Sequence, residues 1–361
     1  MLLYRLLKPN DSQEALLHII HVNLAKGFRG GERQTVLLIQ ALAKISEIKR
    51  QTLVCQLSSP LRAELADTPG VVFVNAGHQL AGHRQAGSAD IVHAHEAKAV
   101  HWAWLHNKLY QTPYIITRRV DTPIKRKWSN TVFYRNAGYC VAISSVIAEQ
   151  LKSFTTSSIY TIPSAHSGAV NDPKVAVEFR QQYPNKIIIG HAGALVDRHK
   201  GQRVLMEVAK SLEHDYPEYV FVFFGKGEDE AALKKESEGI SNIVWAGFKD
   251  NINDYLSGFD VFVFPSRNEG LGSVLLDVMN ARVPIIASNV GGIPDLIKTN
   301  ETGFLVSVGS ASEIKDRLLM LRDNAMLRHH VVDTAFSSLH LYSSDAMAEK
   351  YSQRYKELAQ K

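Results

Sequence analysis

Cysteine is scarce in this chain: Cys55 and Cys140 are the two in 361 residues, far apart and without C-x-x-C spacing. That argues against a disulfide framework or a thiolate zinc site and fits a reducing compartment. Long hydrophobic runs are also missing. No stretch of about 18 apolar residues occurs, so no membrane-spanning helix is expected. The opening Met1–Pro9 carries an apolar run too short and too interrupted for a secretory core. There is no tandem repeat at a period of about 20–50 residues and no low-complexity tract, which excludes solenoids. No D-x-D element stands where a metal would be held, and no His/Cys ligand spacing is evident, so no metal is expected.

Charge is nearly balanced overall, at +5, but unevenly placed. Residues 1–170 carry 19 Lys/Arg against 10 Asp/Glu, and residues 171–361 carry 22 against 26. A basic first half fits an anionic partner such as a phosphorylated acceptor or lipid headgroups, or no partner at all. The acidic second half and the lack of a nucleic-acid motif count against nucleic acid.

What is present is an alternation of strand-like and helix-like segments, the α/β signature. His18–Leu24, Gln51–Gln56, Val71–Asn75, Asp90–Ala94, Tyr114–Thr117 and Tyr139–Ile143 read as strands of a first series. Helices are expected over Glu32–Ile45 and over Ser144–Lys152, with Ser144 as N-cap. Ile162–Pro173, rich in small residues and bounded by two prolines, reads as a linker. A second series follows: strands at Lys186–Gly193, Tyr219–Phe224, Asp260–Phe264 and Pro284–Ala287, with a helix at Gly201–Leu212. Lys186–Gly193 is almost continuously apolar, as a parallel strand buried on both faces must be. The tail, Asp345–Lys361, reads as a charged amphipathic helix.

Several loops at strand ends carry chemistry. Gly30 and Gly31 precede a helix, where absent side chains and free N–H groups admit a phosphate. Arg198 and Lys200 follow the first strand of the second series, at the edge where open α/β sheets bind ligands. Two cations there suit a diphosphate as it leaves. Gly225 begins a G-x-G turn, but Glu230 stands where a dinucleotide fingerprint needs its third glycine. The strongest segment is Phe264–Asp277: Glu269 precedes Gly270-Leu271-Gly272, and Ser273 opens a helix carrying Asp277. Backbone N–H groups of Leu271, Gly272 and Ser273 would face a diphosphate, and the two carboxylates would hold sugar hydroxyls. Gly291-Gly292-Ile293-Pro294-Asp295 and Thr302–Val306 read as simple turns.

These segments, in this order, resemble the retaining glycosyltransferases of sequence family 4. The resemblance is carried by GGER, DIVHAH, AISSVIAEQL, GALVDRHKG, FGKGED, SNIVWAGFKDN, FPSRNEGLGSVLLDVMNA, SNVGGIPDLI and TGFLV. It implies the GT-B fold, two Rossmann-like domains facing across a cleft. One domain would comprise residues 1–165 with 345–361, binding the acceptor; the other, 166–344, would bind a nucleoside-diphosphate-sugar such as a UDP-sugar. It implies Glu269 as the first carboxylate of the E-x7-E element, touching the donor sugar. Lys200 would pair with the donor phosphates, with Gly30 and Gly31 opposite them. Gly270–Ser273 would cradle phosphate and sugar, and Asp277 would take the place of the second glutamate, at the ribose.

Three departures from the family pattern stand out. Asp277 is one methylene shorter than Glu. Ala194 replaces the usual arginine, leaving Arg198 as its substitute. Arg118 and Arg119 occupy a place where relatives often carry histidine, which favours an anionic acceptor. His95, in the DIVHAH loop, is a further catalytic candidate. Lys125, Arg126 and Lys127 precede Trp128 and suit an anionic membrane surface or a lipid phosphate.

The expectation is therefore a metal-independent hexosyltransferase without cofactor. It would be cytoplasmic, peripheral on the inner face of the membrane, and would act on an envelope glycan such as lipopolysaccharide core. An NAD-dependent oxidoreductase and a non-catalytic nucleotide-sugar-binding protein are the competing readings.

Overall fold

The computed structural model describes residues 16–168 and 172–361. The Met1–Pro9 reading therefore lies outside the described residues, as do positions 169–171 of the expected linker.

Seven strands form the first sheet: β1 (Leu17–Val22), β2 (Ile48–Cys55), β3 (Val71–Asn75), β4 (Ile91–Ala94), β5 (Tyr114–Arg118), β6 (Tyr139–Ala142) and β7 (Ser158–Thr161). All pair in parallel, in the order β3-β2-β1-β4-β5-β6-β7. Six strands form the second: β8 (Ile187–Ala192), β9 (Tyr219–Phe224), β10 (Ile243–Gly247), β11 (Val261–Phe264), β12 (Ile285–Ser288) and β13 (Phe304–Val306). These are also parallel, in the order β10-β9-β8-β11-β12-β13. Each order reverses direction once, between β1 and β4 and between β8 and β11. A doubly wound sheet opens its ligand crevice at that switch point, outside the carboxyl ends of the strands.

The buried strands explain themselves. Every side chain of Tyr219–Phe224 is buried, because a parallel strand covered on both faces by helices has no solvent side. Gly190 in β8 is required by packing: a Cβ there would stand 2.3 Å from the Phe259 ring. The tail helix Ser344–Ala359 returns to the first sheet. Its Met347, Tyr351, Tyr355 and Leu358 share one apolar cluster with Ile19, Ile115 and Tyr139. Lys44 pairs with Asp345 at 2.9 Å, and Lys356 with Glu47, along its flanks.

The two sheets meet through specific contacts. Asp295 of the second accepts from the Ser145 N–H and Oγ at 2.6 and 2.7 Å. This corrects one local expectation: Ser144 stands at the N-cap of helix Ser145–Lys152, but its Oγ makes no capping bond and is buried without a partner. The carboxylate at that helix start comes instead from Asp295 in helix Ile293–Leu296, which follows β12 of the second sheet.

Candidate functional site

The carboxyl edges of β1, β5, β8 and β11 carry the loops that matter. Helix Gly30–Leu42 begins at the paired glycines after β1. Its first-turn N–H groups have no intrahelical acceptors. Glu32 turns back to accept from the Arg29 N–H at 2.9 Å, fixing the entry angle of this turn. Opposite, the Glu269–Ser273 loop leads into helix Val274–Asn280. The two walls come close enough that a Cβ on Gly30 would lie 3.9 Å from Ser273 Oγ, and one on Gly31 3.6 Å from Arg119 Cδ. Between them lies a cavity of about 140 Å³, lined among others by Gln34, Arg119, Ile143, Ser164 and Glu269. Ligand pockets usually hold about 300–1,000 Å³, so the walls must part to admit a nucleotide sugar. A larger depression, about 580 Å³, lies at β1–β3 beside Leu16, His18 and Arg50. It adjoins Leu17, the first residue of β1, and so lies at the amino edge, away from the crevice.

Lys200 and Glu269 meet at this crevice, with Nζ 2.5 Å from Oε2 and side chains only 21% and 18% exposed. The short helix Asp197–Lys200 presents Lys200. It ends on Gly201 at φ +66°, where a Cβ would stand 2.2 Å from the Pro265 carbonyl. The Arg267 N–H donates to the His199 carbonyl at 2.8 Å, tying this turn to the loop carrying Glu269.

Glu269 is fixed from behind by Gly291 and Gly292. At Gly291, φ is +57° and a Cβ would fall 1.9 Å from the Glu269 carbonyl. The Gly292 N–H donates to that same carbonyl at 3.1 Å. This pair is therefore more than the simple turn its sequence suggests. The signal was there in the doubled glycine after a strand, but its partner lies 22 positions away. Gln34 and Ser164 were missed as well, since neither carries a motif.

Other expected site residues lie elsewhere. Arg198 is 69% exposed and pairs with Glu228 at 3.0 Å. Gly225, at φ +142°, packs where a Cβ would strike the Gly193 carbonyl at 1.9 Å, so its glycine is explained by strand–loop packing. Asp277 is removed from the cavity lining: its carboxylate accepts from the Ser167 N–H at 2.7 Å, and burial raises its pKa. Arg118 donates to the Thr122 carbonyl. Lys125, Arg126 and Lys127 are exposed beside Trp128, which is 81% exposed. Arg119 does not join that exposed stretch; its Nε and Nη2 are shielded from solvent.

His95 sits in a buried trio with His21 and His93, ring nitrogens within 4.8 Å of one another. No sequence spacing showed this, because His21 comes from the neighbouring strand. Five of the six nitrogens are already bonded. Gln51 donates its amide to the Ile39 carbonyl, so its Oε1 faces His21 Nε2 at 3.0 Å and must accept from it. Burial pushes His21 down to about 3, so its Nδ1 is bare and accepts from His95 Nε2 at 3.0 Å. His93 bonds Tyr355 and Thr117, each at 2.7 Å. His95, also lowered by burial, is thus neutral with its proton on Nε2 and its Nδ1 a buried acceptor without a partner.

Two parallel, doubly wound sheets with facing carboxyl edges and a crevice between them define the GT-B class. Residues 176–337 match the family described as glycosyl transferases group 1. The chain is 29% identical over 171 residues to a sulfoquinovosyl transferase of Arabidopsis thaliana, covering 46% of this chain and 32% of that protein. It is 21% identical over 288 residues to a phosphatidyl-myo-inositol mannosyltransferase of Mycobacterium leprae, covering 76% and 75%. It spans between 30% and 66% of the length of the first four curated relatives it matches. A crystal structure of the Anabaena protein HepE in complex with UDP and glucose superposes with a TM-score of 0.78 at 14% identity, covering 94% of this chain and 100% of that one.

Proposed function

We propose that the protein transfers a hexosyl group from a nucleoside-diphosphate-sugar to an envelope glycan, with retention of anomeric configuration. One observation carries this reading: Glu269, held by Lys200 at 2.5 Å, lines a crevice whose opposite wall is the glycine-rich start of a helix. A leaving diphosphate gains negative charge as the sugar–phosphate bond breaks, and prepositioned donors stabilise it. Lys200, the first-turn N–H groups at Gly30 and Gly31, and the N–H groups of Leu271, Gly272 and Ser273 would supply them. Glu269 would hold donor-sugar hydroxyls, with Lys200 moving to the phosphates once the ligand arrives. These donors supply the positive charge that a metal would otherwise bring, so we propose a metal-independent reaction. Asp277 would reach the ribose only if Ser167 gave up its bond to that carboxylate. Arg198 and Gly225 would stand at the outer rim, and His95 below the first-domain wall.

We take residues 1–165 with 345–361 as the acceptor unit and 166–344 as the donor unit. Lipopolysaccharide core is the proposed acceptor. Lys125, Arg126, Lys127 and Trp128 would rest the protein on the inner face of the cytoplasmic membrane, basic side chains on headgroups and the indole at the interface. Names of relatives support a glycolipid or glycan acceptor: one is a phosphatidyl-myo-inositol mannosyltransferase.

A thermal-shift screen against UDP, GDP, ADP, CMP and NAD tests the reading. A ligand at a hundredfold its dissociation constant adds about 2.7 kcal/mol. Stabilisation by one nucleotide and not by NAD supports it; stabilisation by NAD alone supports the oxidoreductase reading instead.

A further inference from the structure

The crevice contains a partly buried cation that forms no ion pair among the described residues. Arg119 follows β5 and lies between the start of helix Gly30–Leu42 and the Gly270 loop. Its Cδ is 3.6 Å from a Cβ position on Gly31, and its carbonyl 2.5 Å from one on Gly270. It lines the cavity together with one other charged side chain, Glu269, and that carboxylate is already matched by Lys200. The Arg119 Nε and Nη2 are shielded from solvent and have no hydrogen-bond partner. The polar groups that act on its charge are the tail-helix tyrosines Tyr351 and Tyr355, Glu32, and the histidines His93 and His95, whose pKa values burial lowers. Burial raises the pKa of both Tyr351 and Tyr355, keeping them neutral. Glu32 is the one anion among them; its carboxylate accepts from the Arg29 N–H and forms no ion pair with Arg119.

Nε–H and Nη2–H form one edge of a guanidinium and point the same way, which suits two oxygens of a single oxyanion. This protein uses that edge twice. Arg203 holds Glu236 through Nε and Nη2 at 2.7 and 2.6 Å, and Arg322 holds Asp323 through the same atoms at 2.7 and 3.2 Å. Arg119 offers the same edge with nothing on it. A partly buried, unpaired guanidinium is costly unless something compensates it. A neutral sugar cannot; an oxyanion can.

We infer that Arg119 is a two-pronged socket for an oxyanion of the substrate, so that donor binding completes a charge pair the folded protein leaves open. This rests on the nucleotide-sugar reading of the crevice. The shared chemistry is a pair of oxygens bearing negative charge. They could belong to the diphosphate or to an acid group on the transferred sugar, a carboxylate or sulfonate.

The test is calorimetric titration of the full chain and its Arg119→Gln and Arg119→Lys variants. UDP, GDP and ADP are tried first; the one that binds is then compared with its hexose and hexuronate esters. If the acid is on the sugar, the wild type binds the hexuronate ester about tenfold tighter than the hexose ester, and Arg119→Gln abolishes the preference. If the diphosphate is held, Arg119→Gln weakens the nucleoside diphosphate itself about tenfold, and the two esters equally. Arg119→Lys keeps the charge without the paired edge and recovers only part of either effect. Without ligand, Arg119→Gln unfolds at or above the wild-type Tm, since it removes an unpaired, partly buried charge. Unchanged affinities for all three ligands in Arg119→Gln, or a lower Tm without ligand, overturn the socket. A wild type that binds no nucleotide overturns the nucleotide-sugar reading itself, and the socket with it.

Discussion

Lys200 Nζ and Glu269 Oε2 lie 2.5 Å apart, joining the loop after β8 to the loop after β11 across the switch point of the second sheet. The two strands are neighbours, so the pair spans the place where a doubly wound sheet opens. Each side chain is about four-fifths buried, so neither charge is well served by water if the other is removed.

That geometry predicts a coupling. Lys200→Ala and Glu269→Ala each destabilise the fold by about 1–3 kcal/mol, because each leaves a partly buried charge alone. The double variant costs less than the sum. Each single variant also lowers nucleoside diphosphate release by about 10²–10³. Urea unfolding of the four proteins checks the first part, and strictly additive values would contradict it.

Gly291 supports Glu269 from behind. Gly291→Ala forces a Cβ to within 1.9 Å of the Glu269 carbonyl at φ +57°. The loop must move, and turnover falls with it. Gly239→Ala is the control: its φ is +87°, but nothing lies within 4 Å of the added Cβ. Both carry backbone strain of about 1–3 kcal/mol. Only Gly291→Ala loses activity beyond what its Tm explains; equal activities would separate the loop from the site.

The histidine trio makes stability depend on pH. Burial pushes His21 to about 3 and holds His93 and His95 well below the usual value. In the unfolded chain each takes up a proton near pH 6.5. The unfolded state therefore binds more protons below that pH, and stability, complete above about 6.5, is lost as the pH falls. The trio contributes a slope of up to about 4 kcal/mol per pH unit, near 1.4 per histidine. Urea unfolding between pH 7 and 5 measures it, and His95→Gln should remove about a third of the trio's share. An unaltered slope in that variant would show that His95 titrates normally.

The exposed basic stretch makes a surface prediction. Replacing Lys125, Arg126 and Lys127 by Gln should weaken binding to phosphatidylserine vesicles about a hundredfold, near 1 kcal/mol per charge, with the Tm unchanged. Vesicle co-sedimentation reads this directly. Equal sedimentation of the two proteins would leave the stretch as a solvated loop.

Much of the fold was legible, because buried parallel strands announce themselves as apolar runs. β8, β9 and β11 were readable to within a residue or two for that reason. The edge strands β7 and β10 were not, since half-exposed residues blur the run. Thr302–Val306 read as a turn although β13 lies within it, because three residues are too few to show a period. At the crevice, Glu269, Gly270–Ser273 and Lys200 were legible because each belongs to a local motif. Gly291 behind Glu269, Gln34 and Ser164 on the wall, and the His21–His95 bond were not, because each depends on a partner distant in sequence. Arg119 was legible as a residue but not as a place: it lies close in sequence to the exposed basic stretch, yet its side chain packs against the start of helix Gly30–Leu42 and feels the tail-helix tyrosines, partners distant in sequence.

The most direct test of the central claim is release of nucleoside diphosphate from UDP-, GDP- and ADP-hexoses by the wild type and by Lys200→Ala. The account predicts release from one of these esters by the wild type and a loss of about 10²-fold or more in the variant. No release from any ester, or equal release by both proteins, would contradict it.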